Sequence, residues 1–101
     1  MKYYIKVIDG DRYETVYNTL QEALESLREY ESERWSGLVV EDDQYKEYGI
    51  NDVITEVFFN MLAEEKTARE IKKATGIKKI EPEERIVTIY YPNGEIVSHW
   101  L

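Results

Sequence analysis

Any chemistry in this chain has to run on carboxylates, hydroxyls and amines, because it holds one histidine, His99, and no cysteine. A nucleophilic Ser, Thr or Lys needs a base within hydrogen-bond reach. Ser98 adjoins His99, but neighbours along a strand point to opposite faces, so the two are not a pair. The lack of cysteine also removes thiol nucleophiles, disulfide frameworks, iron–sulfur clusters and Cys-containing zinc sites. The densest acidic group is Glu41, Asp42 and Asp43 with Glu47 and Asp52. Acid–base work requires burial to raise a carboxylate pKa, and these lie in a polar segment that reads as solvated. Their spacing matches no metal site, and Asp9-Gly10-Asp11 is too short for a calcium-binding loop. No glycine-rich phosphate loop is present. We expect no enzymatic activity, no cofactor and no metal.

Charge is the stronger signal. Residues 1–65 carry 6 basic and 16 acidic side chains, a net of −10. Residues 66–79 carry 6 basic and 1 acidic, a net of +5, and residues 80–101 carry 1 basic and 4 acidic, a net of −3. Within the acidic part, Glu22, Glu25, Glu29 and Glu33 recur at helical spacing. On a helix they fall inside an arc of roughly 80°, with carboxylates one turn apart separated by about 5–6 Å. That is close to the spacing of successive phosphates, so the stripe is suited to a basic groove made for a nucleic-acid backbone. Only Arg28 and Arg34 lie near enough to neutralise it. Asp42, Asp43 and Glu47 extend this surface if the following strand lies beside the helix. Tyr4, Tyr13 and Tyr17 would supply rigid amphipathic contact area of the kind enriched at interfaces. The same pattern also describes an ordinary solvated helix face and an exposed tyrosine-bearing strand.

The opposite signal lies in residues 66–79, where Lys66, Arg69, Lys72 and Lys73 make an alternative anion-binding surface. The run Thr67-Ala68-Arg69-Glu70-Ile71-Lys72-Lys73-Ala74-Thr75-Gly76-Ile77 resembles the first helix and turn of a helix-turn-helix domain. That resemblance implies DNA binding, with residues 85–101 as a wing. It stops at Lys78–Glu84, where Pro82 and three acids leave no room for a recognition helix. Tyr3 to Tyr17 followed by Thr19-Leu20-Gln21-Glu22-Ala23-Leu24 resembles the hairpin-then-helix opening of HicB-type antitoxins. The loop those proteins place between strand and helix is missing, so the family is not carried over.

The elements that must position these residues follow from pattern. Asp9-Gly10-Asp11 separates two β-rich runs, 3–8 and 12–17, and predicts a hairpin with Tyr4 facing Tyr17 and Ile8 facing Tyr13. Tyr3, Ile5, Val7 and Val16 then form the core face. Thr19 and Glu22 form a capping box that opens an amphipathic helix over 20–34. A strand follows at Leu38–Asp42, then a polar loop over 43–49. Asn51 caps a helix whose core stripe is Val53, Ile54, Val57, Phe58, Met61 and Leu62. Thr67 and Glu70 cap a short helix ending before Gly76, and Pro82 lies in a connector. Asn93-Gly94 is the turn of a hairpin between Arg85–Tyr91 and Glu95–Leu101. In that register Val87, Ile89, Tyr91, Ile96 and Trp100 share one face, and His99 sits opposite Thr88 on the other.

The order β-β-α-β-α-α-β-β argues an α+β fold, an antiparallel sheet of terminal hairpins packed against helices on one face. At 101 residues, residues 1–101 make a single domain with enough surface to bury for a core. The first residues lack the apolar core of a signal peptide, and no stretch is apolar enough to span a bilayer, so we expect a soluble cytoplasmic protein. Its net charge of −8 repels nucleic acid and anionic membranes and favours basic partners. The expectation is a small acidic binding protein, an inhibitor or adaptor that occupies a basic, nucleic-acid-handling protein surface. In size and charge it is like phage and mobile-element inhibitors of host defence nucleases. The alternative is a nucleic-acid-binding regulator using segment 66–79, or a binder of a small anion such as a nucleotide. An unpaired edge near Trp100-Leu101 leaves monomer and homodimer both open.

Overall fold

Antiparallel pairing and apolar periodicity together build two small sheets around one core. The computed structural model describes residues 1–101. Its strands are β1 (Tyr3–Val7), β2 (Leu38–Asp42), β3 (Glu47–Tyr48), β4 (Lys79–Pro82), β5 (Ile86–Tyr90) and β6 (Ile96–Trp100). The helices are α1 (Leu20–Leu27), α2 (Ile50–Ala63) and α3 (Ala68–Thr75), with a 3-10 helix at Ser32–Gly37. The fold is α+β. The terminal hairpins do not share a sheet, however: β1-β2-β3 form one and β4-β5-β6 the other. No helix is long and apolar enough to cross a membrane.

A single cluster of buried side chains ties both sheets to the helices, running from Ile5 and Val40 through Leu24, Val57 and Phe58 to Ile71, Val87 and Ile89. Each fully buried aliphatic or aromatic side chain contributes about 1.5–3 kcal/mol of transfer free energy. α2 supplies the densest share, with Val53, Ile54, Val57, Phe58 and Met61 all buried, while Leu62 faces outward. Its N-cap is Gly49 and not Asn51. Asn51 lies inside the helix and donates to Asn93 and Glu95 of the second hairpin at 3.2 and 2.8 Å, so it joins two elements instead of capping one.

The first predicted hairpin is largely replaced. β1 takes β2 as its regular partner, with Tyr4 opposite Glu41 and Ile5 opposite Val40. Residues 12–17 make only isolated bridges, Tyr3 to Tyr17 and Lys6 to Arg12. The turn closes earlier than expected, from Gly10 N–H to the Val7 carbonyl at 2.9 Å, with Asp9 in the left-handed region at φ 57°. A changed register moves side chains to the other face. Tyr17 therefore faces Tyr3 and not Tyr4, while Val7 and Val16 are exposed and Ile5 alone of the expected face is fully buried.

The first helix is also shorter than predicted. The last turn tightens, with Glu29 N–H to Ser26 O and Tyr30 N–H to Leu27 O replacing the α-helical pattern. Tyr30 is then held in place by Tyr13, at a ring separation of 6.0 Å, and by Trp35 Nε1 donating to its carbonyl. Continuation of the helix would tear both contacts away and add two further like-charge neighbours to the stripe. α3 behaves as expected: Thr67 accepts from Glu70 N–H at 3.2 Å, and Gly76 ends the helix at φ +77°.

The second hairpin lies one residue away from the two-residue-loop register. Its loop is Pro92-Asn93-Gly94, closed by Gly94 N–H to Tyr91 O and Tyr91 N–H to Glu95 O. Pro92 suits the second position of the turn, and Gly94 at φ +92° supplies the left-handed residue of a three-residue loop. Val87 thus pairs with His99, Ile89 with Val97 and Ile86 with Trp100. His99 turns inward and Ile96 and Trp100 turn outward, the reverse of the expected faces. The segment holding Pro82 is not a connector but edge strand β4, which ends at that proline.

Candidate functional site

The acidic residues expected to form one surface fall in three places. Glu22 and Glu25 are exposed on α1, Glu29 follows its C-cap, and Glu33 is exposed on the 3-10 helix. These four form an open acidic arc although the continuous helix is broken. Neither nearby cation covers them. The Arg28 guanidinium turns to α3 and donates to the carbonyls of Lys73 and Ala74 at 2.9 and 3.0 Å. Arg34 lies over the Tyr30 ring at 5.0 Å. The ion pairs of the protein lie elsewhere, at Lys6–Glu47, Arg12–Glu41 and Lys79–Glu81.

Asp42 is withdrawn from that surface. It is 2 % exposed, and its Oδ1 accepts from the N–H groups of Gln44 and Lys46 at 2.9 and 3.0 Å. Tyr48 donates to Oδ2 at 3.3 Å. The carboxylate organises the turn between β2 and β3, in which Tyr45 takes φ 66°. Burial works to raise its pKa, but the backbone donors of Lys46 and Gln44 and the Tyr48 hydroxyl outweigh it and hold Asp42 below the ordinary 3.8. Such a group stabilises the fold fully above its unfolded pKa, and that contribution fades as pH falls toward the folded value. Urea unfolding between about pH 5 and pH 2 should therefore show a steeper loss in the wild type than in Asp42→Asn. The variant should be the less stable of the two at neutral pH. Equal slopes would dissociate this carboxylate from acid lability.

Asp43 and Glu47 are exposed, but each is engaged: Asp43 accepts from Lys2 N–H at 3.0 Å, and Glu47 pairs with Lys6 at 2.8 Å. Pairing through β1, β2 and β3 places Tyr4, Lys6, Glu41 and Glu47 on one side of the first sheet. Ile5, Val40 and α1 lie on the other side, within the core. The acidic arc and Tyr4 therefore stand on opposite sides of the sheet, not on one composite surface. Tyr13 and Tyr17 are not on the Tyr4 face either. Both pack against the core, and the Tyr17 hydroxyl bonds Ser26 Oγ at 2.6 Å.

What occupies the Tyr4 face was not legible in the sequence. Arg12 stacks on Tyr4 at 4.1 Å, lies over Tyr45 at 5.1 Å, and bonds buried Glu41 at 2.6 Å. The polar segment read as solvated thus contributes Glu41 and Asp42 to a fully buried strand. The available signal was the apolar run Leu38-Val39-Val40, which marks a central strand whose flanking acids must be satisfied within the fold. Glu41 and Glu47 are neutralised by Arg12 and Lys6, so this face carries little net charge.

Lys66, Arg69, Lys72 and Lys73 are all exposed on or beside α3. Lys66 and Lys73 line an open groove of about 490 Å³ with Glu25, Arg28 and Glu70. The basic segment therefore meets the acidic arc at Glu25, and the groove presents both signs of charge. After Gly76 the chain enters β4, so a recognition helix does not follow the helix-turn segment. His99 is bonded to the Tyr91 hydroxyl at 2.8 Å, and that hydroxyl also bonds Thr55. No three His, Asp or Glu side chains converge as a metal-binding group. No protein-family model, curated protein or solved structure matches this chain.

Proposed function

We propose that this is a small cytoplasmic binding protein without catalytic activity. It acts as an inhibitor or adaptor on a basic, nucleic-acid-handling protein surface, in the manner of phage and mobile-element anti-defence proteins. The observation that carries the reading is the uncompensated acidic arc. Glu22, Glu25, Glu29 and Glu33 are exposed and without an ion pair, while both arginines able to neutralise them are committed elsewhere. A field of one sign raises the association rate with an oppositely charged partner and makes it sensitive to salt. Tyr30 and Trp35, half-buried between these acids, offer the aromatic contact that Tyr4, Tyr13 and Tyr17 were expected to supply.

The test is a pull-down from nuclease-treated lysate of the native host at low and moderate salt, using the wild type and a Glu25→Gln, Glu29→Gln, Glu33→Gln variant. All three positions are exposed, so the variant should fold normally. A basic protein retained by the wild type and lost, by about tenfold or more, from the variant is the expected result. Equal retention by both proteins would remove the acidic arc from the function. Retention of nothing basic would shift attention to the free cations of α3 and to anionic ligands.

A further inference from the structure

The second sheet has one protected and one unprotected edge. β4 is protected by the Lys79–Glu81 ion pair and by Pro82. β6, with the sequence Ile-Val-Ser-His-Trp, has no charged side chain, proline or bulge, in a chain of net charge −8. The first sheet offers no comparable edge. β1 is bridged by Arg12 and Tyr17, and β3 is two residues long.

The backbone pattern defines what this edge presents. Tyr91 N–H bonds Glu95 O, and Leu101 N–H bonds Arg85 O. Hydrogen-bonded pairs alternate along an antiparallel ladder, so Glu95, Val97, His99 and Leu101 turn their backbone groups toward β5. Ile96, Ser98 and Trp100 turn theirs toward the open edge. On the outer face the same three residues project their side chains, with Ile96 57 % and Trp100 76 % exposed.

These residues are symmetric about Ser98. We propose that β6 pairs antiparallel with β6 of a second copy, on a two-fold axis through Ser98, to give a continuous six-stranded sheet. This register sets Ser98 opposite Ser98 and Ile96 opposite Trp100 of the other copy. It is the one alignment that uses every free backbone donor and acceptor of the three residues, giving six interchain hydrogen bonds. Across the outer face it makes an apolar row of Tyr90, Ile96 and then Trp100 and Ile86 of the second copy, and the two-fold axis repeats that row. The charge-free strand is also where two copies of like net charge approach at least electrostatic cost. The contact is small for a stable dimer, so a concentration-dependent equilibrium is expected. It involves none of the acidic arc and stands independently of the proposed function.

Cysteine placed at the axis tests the register directly, since the chain has none of its own. Paired Ser98 residues would have Cα atoms about 5.5 Å apart, within disulfide range. Mild oxidation of Ser98→Cys should give a covalent dimer in high yield. Thr88→Cys, on the same face of β5, should not, since its copies would lie three strand spacings apart, about 14 Å. Sedimentation of the unmodified chain should show monomer and dimer exchanging with concentration. Ser98→Pro removes an N–H that β5 does not use, so it should keep a wild-type circular dichroism spectrum and weaken the dimer at least about tenfold. A chain that is monomeric at every concentration overturns the proposal. So does a dimer indifferent to Ser98→Pro, or equal cross-linking at positions 88 and 98.

Discussion

Replacing Phe58 with alanine should remove about 3–5 kcal/mol of stability, the largest loss expected from any single substitution in this chain. Phe58 is 2 % exposed on α2 and meets Phe59 edge to face at 5.1 Å. The ring closes the contact between α2, α3 and the second sheet, where it forms a wall of an apolar cleft of about 230 Å³ with Ile71, Ile80 and Val87. Alanine would lose the transfer free energy of the ring and merge the void with that cleft. Relaxation is limited, because Val53, Ile54, Val57 and Met61 anchor the same helix. A domain of this length has about 5–15 kcal/mol in total, so the variant should be marginal at room temperature. Urea unfolding followed by tryptophan fluorescence and circular dichroism measures the difference. A loss below about 1 kcal/mol would show that Phe58 does not bridge the two halves of the core.

Arg28→Ala should cost about 1.5–3 kcal/mol, although its side chain touches no carboxylate ion pair. The guanidinium donates to the carbonyls of Lys73 and Ala74, two of the groups that the end of α3 leaves without partners. It also brings positive charge to the negative end of that helix. The site is coupled to Gly76, where a Cβ would stand 3.0 Å from Arg28 Nε at a backbone φ of +77°. Gly76→Ala in the wild type therefore pays for both the left-handed conformation and displacement of the guanidinium. In the Arg28→Ala background only the conformational part remains, so the two losses should add to more than the double variant shows. Strict additivity in denaturation midpoints would mean that Arg28 does not hold the end of α3. The same contact bears on binding, since an Arg28 released from α3 would be free to neutralise the acidic arc.

What was legible in the sequence was what short-range physics decides. Thr19 and Thr67 cap the helices that their capping boxes announce, and Gly76 stops α3 because glycine adopts a left-handed φ at little cost. The stripe of α2 is buried nearly as its 3.6-residue period implies. Leu38–Asp42 is a strand over the expected span. The acidic arc was legible too, as residue types and spacing, and its openness was not. That openness depends on Arg28 reaching 45 residues along the chain to Lys73.

Pairing was the part the sequence left open. Two β-rich runs around Asp9-Gly10-Asp11 describe a local hairpin well, but β1 gains more by lying against β2, whose apolar residues close the core. The Pro92-Asn93-Gly94 turn supports loops of two or three residues, and the choice between them reverses which face His99 and Trp100 occupy. Asp42 and Glu41 look like solvent-facing acids until β2 is central and their partners Tyr48, Lys46 and Arg12 are in place. By itself the sequence determined the caps, the helical core stripe, the α+β class and the sign of the charge. Only the tertiary structure decided register, which sheet each strand joins, and which charged groups remain free, because these rest on contacts between distant segments whose energies no local pattern contains.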